Sequence, residues 1–263
     1  MRRARIRVLL FAAALAGAAC GRDLFNHGNG FAGAGWPTPV DFPGASATPT
    51  ASGSPTPKPF CDPADLTLVL CLQFDGSLAD GSSYHHAASS TAGISYATGV
   101  HGQALHAGAT TVFAIADSPS LDLTTALTFE VWVKPDSLPG TAGARMGLLD
   151  NDSQYGFFIN NPSGDFDPSV GVVVADASAT EVGTWTHLAA TWTQASNTLQ
   201  TYVNGVPKAS GSFNGTLTQG NANGSVVAGN SPNGDNLLGS LDDLRLFRRA
   251  LTPQEICSDG GGC

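Results

Sequence analysis

Apolar and polar residues alternate with a period of two along most of this chain after residue 62. Leu66-Thr-Leu-Val-Leu-Cys-Leu-Gln-Phe74 places Leu66, Leu68, Leu70, Leu72 and Phe74 on one face of a predicted strand, which Asp75-Gly76 ends. Further strands are predicted at 94–98, 103–107, 111–116, 126–134, 144–150, 155–160, 170–175, 185–193, 198–204, 225–229 and 238–247. Turn clusters separate them, among them Asn204-Gly205, Asn223-Gly224 and Ser231-Pro-Asn-Gly-Asp235. Near the end, Gly239-Ser-Leu-Asp-Asp-Leu-Arg-Leu-Phe-Arg-Arg-Ala-Leu251 sets Leu241, Leu244 and Leu246 around Asp242, Asp243 and Arg245. We take it as a closing strand whose partner is the 66–74 strand. Only the segment after Leu251 carries a helical signature. About a dozen strands with so little helix imply an all-β fold, a two-sheet antiparallel β-sandwich with a short C-terminal helical turn.

The first sixty residues have a different texture. Residues 1–19 combine Arg2, Arg3, Arg5 and Arg7 with an apolar run from Val8 to Ala16, too short to span a bilayer, and read as a signal peptide. Gly17-Ala-Ala-Cys20 resembles a bacterial lipobox, with Gly17 where that motif prefers Leu, so Cys20 is the expected lipid-attachment residue; plain secretion is the alternative. The remainder of 20–60 is rich in Gly, Pro, Ser and Thr and is expected to be a disordered linker. Gly28-Asn-Gly-Phe-Ala-Gly33 matches a dinucleotide-binding pattern by chance, since no strand precedes it and no helix follows. Residues 61–263 form the domain. An exported, lipid-anchored protein of the cell envelope follows, at the outer membrane if the source is Gram-negative.

Charge narrows the partners. The chain carries −9 overall; four of its twelve basic residues precede Cys20, whereas all 21 acidic residues follow it. Such a surface argues against nucleic acid. Four cysteines remain, Cys61, Cys71, Cys257 and Cys263, and in an oxidising compartment they read as disulfides with three connectivities open. An extended Cys61–Cys71 segment would hold its ends roughly 30 Å apart against about 5.5 Å needed, so the bridges are expected to tie the N-terminal strand to the C-terminal turn.

The ordered landmarks resemble a known family: Phe74-Asp-Gly76, Asp80-Gly81, Gly102-Gln-Ala-Leu105, Ser118-Pro-Ser-Leu-Asp122, Leu127-Thr-Phe-Glu-Val-Trp-Val-Lys-Pro135, Trp185-Thr-His-Leu-Ala189, Tyr202-Val-Asn-Gly205 and the closing stretch. They are similar to the laminin-G-like, concanavalin A-like lectin/glucanase jelly roll. The resemblance implies a monomeric, non-catalytic binding or adhesion domain for a glycan or a surface protein. Alternatives are a structural envelope lipoprotein without a small ligand and a divergent glycoside hydrolase.

The family's glucanases carry Glu-x-Asp-x-x-Glu on one strand, and none of Glu130, Glu181 and Glu255 has an acidic partner at that spacing, so no enzyme is expected. Asp75, Asp80 and Asp242 are candidate ligands of a structural Ca²⁺ if the first and last strands pair, since the resemblance makes Asp242 the calcium-ligating aspartate; Asp243 is left as a surface charge. His85, His86, His101 and His106 read as solvated loop residues and His187 as a strand residue with a local bond. Trp132, Trp185 and Trp192 lie inside strand runs and read as core. Tyr155, Phe157 and Phe166, with Tyr84 elsewhere, are the freer aromatics, and with Asp150 and Asn151 they form the expected ligand rim.

Overall fold

The structure, a computed structural model, describes residues 59–151, 154–174, 176, 178–217, 225–230 and 235–263. The expected signal peptide, Cys20, the expected linker up to residue 58 and the 28–33 pattern lie outside them. No helix among the described residues is long and apolar enough to cross a membrane.

The strands are β1 (Leu68–Leu72), β2 (Ala88–Ala92), β3 (Ser95–Thr98), β4 (Gln103–Ala107), β5 (Val112–Ala116), β6 (Ala126–Pro135), β7 (Arg145–Asn151), β8 (Tyr155–Asn160), β9 (Asp165–Ser169), β10 (Thr186–Thr193), β11 (Thr198–Val203), β12 (Val206–Ser212), β13 (Ser225–Ala228) and β14 (Gly239–Phe247), followed by helix α1 (Pro253–Asp259). They make two antiparallel sheets. The larger runs β12-β11-β10-β6-β14-β4-β3, with β1 also on β14; the smaller runs β2-β5-β13-β7-β8-β9. No strand forms among the described residues of the predicted 170–175 strand, which instead follow β9 and return through bridges from Ser169 to Val173 and from Phe166 to Asp176. Three strands went unpredicted, β2, β9 and β12, because Ala-Ser-Ser-Thr-Ala, Asp-Phe-Asp-Pro-Ser and Val-Pro-Lys-Ala-Ser-Gly-Ser carry too little apolar alternation.

Alternation decides which side chains meet. On β6, Leu127, Phe129, Val131 and Val133 enter the core, while Thr128, Glu130, Trp132 and Lys134 take the outer face. On β8, Tyr155, Phe157 and Ile159 face inward and Gly156, Phe158 and Asn160 outward. Phe129 and Phe157 stack across the sandwich at 4.1 Å between ring centroids. Each such buried aromatic removes enough apolar surface to be worth about 2–3 kcal/mol.

β14 organises the larger sheet. One edge pairs with β6; the other takes β4 with Gly239–Leu241 and β1 with Leu244–Phe247. Leu241, Leu244 and Leu246 all enter the core although the first two lie three positions apart. An irregularity between Asp242 and Arg245 reconciles this: Asp243 adopts φ +50°, inserting an extra residue that shifts the face of the strand. β1 shifts register between Leu68 and Leu70, so Leu68 faces the outer cluster while Val69, Leu70, Leu72 and Phe74 face the core. The expected single face of five residues is therefore corrected.

The disulfide connectivity is corrected too. Cys61 bonds Cys71 and Cys257 bonds Cys263, with Cα separations of 5.7 and 5.5 Å. The 61–71 segment is not extended. Two successive turns, Asp65 N–H to Asp62 O and Leu68 N–H to Asp65 O, fold it back, and the Asp62 and Asp65 carboxylates accept from Ala64 and Thr67. α1 is held by a capping box in which Thr252 and Glu255 satisfy each other's backbone N–H. Its Ile256 packs with Leu68, Tyr202, Phe247 and Leu251 on the outer face of the larger sheet.

Candidate binding groove

The outer face of the smaller sheet carries a groove of about 480 Å³. β7 and β8 supply its floor, Arg145, Asp150, Tyr155, Gly156 and Phe158; the segments after β9 and β12 supply its walls, Val172, Val173, Phe213, Thr216 and Leu217. Arg145 and Phe158 point outward because their neighbours Met146 and Phe157 are committed to the core. The Arg145 guanidinium lies 4.2 Å from the centre of the Phe158 ring, and its Nε donates to Asp235 Oδ2 at 2.6 Å. A cation fixed between a ring and a carboxylate presents both a flat surface and directed N–H donors. A Cβ at Gly156 would lie 2.6 Å from the Phe158 ring, so a side chain there would displace the ring that Arg145 covers.

The expected rim residues divide. Tyr155 and Asp150 line the groove, though both are largely buried. Phe157 and Phe166 are fully buried in the core, on the inward positions of β8 and β9, and are removed from the rim. Asn151 is buried and donates to Leu121 O and Gln154 Oε1, so it supports the groove end without facing it. Burial also pushes the Tyr155 phenol well above its usual range while its hydroxyl donates to Leu121 O at 3.0 Å. Tyr84 lies elsewhere, donating to Leu66 O. Of Trp132, Trp185 and Trp192, only Trp192 is in the core. Trp132 and Trp185 are half-buried, Trp132 against His187 and Trp185 under the Lys134 ammonium, and the parity Trp132 shares with Thr128 and Glu130 foretold its outward position.

The three calcium candidates do not assemble as one site, and no group of three potential metal ligands occurs among the described residues. Asp80 accepts from Cys71 N–H and Ser82 N–H with one oxygen and from His86 with the other, in a turn folded over β1. Asp75 and Asp242 meet the loop between β3 and β4: Asp75 accepts from Gln103 N–H at 2.7 Å, and Asp242 Oδ2 from Val100 and His101 N–H at 2.7 and 3.0 Å. That loop fills the gap in the edge of β14 between β1 and β4, which makes the two aspartates a plug for unpaired backbone. Burial, with Asp243 adjacent, lifts Asp242 to about 6 against the bonds from His101 and Val100. Asp243 is no surface charge: it is buried and bonded to His101 Nδ1 at 2.6 Å.

Glu130 is sealed on the larger sheet's outer face, paired with Arg245, which also meets Asp259 at 2.7 Å. Burial pushes Glu130 up to about 8 despite Arg245, and burial together with Arg245 holds His187, 3.7 Å away, down to about 3. No substrate reaches a carboxyl enclosed in this way.

A family model described as the concanavalin A-like lectin/glucanases superfamily matches residues 107–257, from the end of β4 through most of α1. The chain belongs to this superfamily. A comparison with curated proteins gave no match. Among solved structures, this superfamily member is similar to domain 4 of AbnA, a GH43 extracellular arabinanase from Geobacillus stearothermophilus in complex with arabinotriose. That likeness has 22% identity and a TM-score of 0.57 over 73% of this chain and 97% of that one. The binding domain of Paraclostridial mosquitocidal protein 1 is similar at 16% identity and a TM-score of 0.61, over 74% of this chain and 52% of that one. The binding domain of botulinum neurotoxin DC in complex with SialylT is similar at 12% and 0.58, over 74% and 51%. The chain thus spans about half the length of the toxin chains it matches, and at these identities the likeness is one of fold.

Proposed function

We propose that this protein is a binding module whose groove on the smaller sheet takes a short carbohydrate chain. The observation that carries it is Arg145, held between Phe158 and Asp235 in a groove lined by both apolar and hydrogen-bonding side chains. A sugar has apolar C–H faces and a hydroxyl rim, and this lining matches both. The structure of arabinanase domain 4 with arabinotriose supports the choice of ligand class. The burial and pairing of Glu130 argue for binding over glycosidic cleavage.

The domain works, in this reading, as a monomer on a lipid tether at Cys20 in the cell envelope. Two disulfides favour an exported chain. Isothermal titration with arabino-oligosaccharides and a panel of other oligosaccharides tests the binding. Heat from at least one, lost in Arg145→Ala, is expected. Silence across the panel would favour a protein partner or a purely structural envelope role. Labelling with a palmitate analogue, compared with Cys20→Ala, tests the tether.

A further inference from the structure

His86 is not the solvated loop residue its Ser/Gly-rich surroundings imply. Its side chain is 7% exposed and lies between Asp80, fully buried, and Ser120. Asp80 Oδ2 is 2.8 Å from His86 Nδ1, and His86 Nε2 is 2.7 Å from Ser120 Oγ. Proton directions follow from the partners. Burial works against the Asp80 carboxylate, but bonds from His86, Ser82 and Cys71 hold it below its usual range, so it is an acceptor only. Nδ1 therefore carries the proton, and Nε2 turns a lone pair towards the Ser120 hydroxyl. That is the tautomer a general base needs.

Ser120 sits half-buried in the 3₁₀ turn Pro119–Leu121, and Ser118 Oγ lies 2.8 Å from its hydroxyl. Tyr84 stacks on the His86 ring at 5.8 Å and fixes its plane. The backbone N–H groups of the turn are used internally, Ser120 N–H on Ser118 Oγ and Leu121 N–H on Ser118 O. A developing oxyanion must be met by side chains, and the exposed Arg248 lies within reach of this turn: its Nη2 donates to the Ser120 backbone carbonyl at 3.3 Å. Without backbone donors, turnover should be slower than in a complete acyl-transfer site by about 100–1,000-fold, which restricts the chemistry to activated esters.

We propose that Ser120 is a nucleophile that accepts acyl groups from small activated esters, with His86 as general base and Asp80 as its positioning residue. Ser120 Oγ bonds to the acyl carbon as the ester C–O bond breaks; the hydroxyl proton passes to His86 Nε2 and then to the leaving alkoxide. Water next attacks the acyl-serine, giving one proton through His86 back to Ser120 Oγ and releasing the carboxylic acid. No oxidant or metal is consumed.

The full chain treated with a biotinylated fluorophosphonate should be labelled at Ser120, located by peptide mass spectrometry, and should hydrolyse p-nitrophenyl acetate. Ser120→Ala should lower both by at least about 100-fold, as should His86→Ala. Asp80→Asn should slow maximal labelling while leaving the probe concentration for half-maximal rate unchanged. Should His86→Ala fail to fold, Ser120→Ala decides, because it leaves the His86–Asp80 contact in place. An unlabelled wild type, or equal labelling of Ser120→Ala, overturns the proposal. The assay needs no carbohydrate, so its failure leaves the groove reading standing.

Discussion

Arg145 and Arg245 occupy the outer faces of opposite sheets and make nearly the same contacts. Each guanidinium lies over a phenylalanine, Phe158 at 4.2 Å and Phe60 at 4.1 Å, and each pairs with carboxylates, Asp235 for one, Glu130 and Asp259 for the other. Burial separates them. The Arg245 side chain is 10% exposed beneath Phe60 and α1, whereas Arg145 is 35% exposed on a groove floor. Covering turns one arrangement into a permanent joint between β14, β6 and the C-terminal helix. Openness leaves the other able to exchange water for a ligand. What a polar cluster does in this sandwich therefore depends on what lies above it.

The largest test of that contrast is Arg245→Leu, which leaves the buried Glu130 carboxyl without its partner and uncovers the rings the guanidinium packs on. A loss of about 3 kcal/mol is expected in chemical denaturation, and adding Glu130→Leu should recover most of it. Next comes pH. The folded state holds the Glu130 proton up to about 8 against 4.5 for the free group, so stability should fall as pH rises through that window. His187 is neutral in the fold down to about 3 against 6.5 for the free group, so its contribution is lost as pH falls from 6.5 to 3. The two slopes, each at most about 1.4 kcal/mol per pH unit, oppose one another between 4.5 and 6.5. Glu130→Gln should flatten the alkaline side; an unchanged profile would place the cause elsewhere.

Asp242→Ala removes the acceptor for two N–H groups and should cost about 1–3 kcal/mol, read as a lower melting temperature. Smallest in stability is Arg145→Ala, about 0–1 kcal/mol, because its ion pair is open to solvent. Its effect should appear in ligand titration instead. If Arg145→Ala destabilises as much as Arg245→Leu, the distinction between the two faces fails.

The sandwich was legible because β6, β8, β10 and β14 advertise themselves by alternation, and the pairing of β14 with the first strand followed from it. Two details in the same residues were passed over. The three-residue step from Leu241 to Leu244 announces an inserted residue, and Asp62-Pro-Ala-Asp65 announces the turns that return Cys61 to Cys71. The groove was harder. Its floor alternates with the core residue by residue, so the rim choice took Phe157 in place of Phe158, one position away, where a single step reverses the face. Arg145 was missed because its partners, Phe158 and Asp235, are brought to it by tertiary pairing. His86 was likewise unreadable, since Ser120 lies 34 residues on.

The Cys61–Cys71 bond also has a mechanical consequence. Tension arriving along the backbone at Phe60 meets Cys61 and crosses the sulfur bridge directly into the middle of β1, bypassing residues 62–70. Cys71 stands opposite Arg245 on β14, inside the antiparallel ladder. A pull there loads the hydrogen bonds of two buried strands together, so the domain should resist extension better than one gripped at a frayed strand end. Reducing that bridge should lengthen the first slack released under force before the ladder itself is engaged.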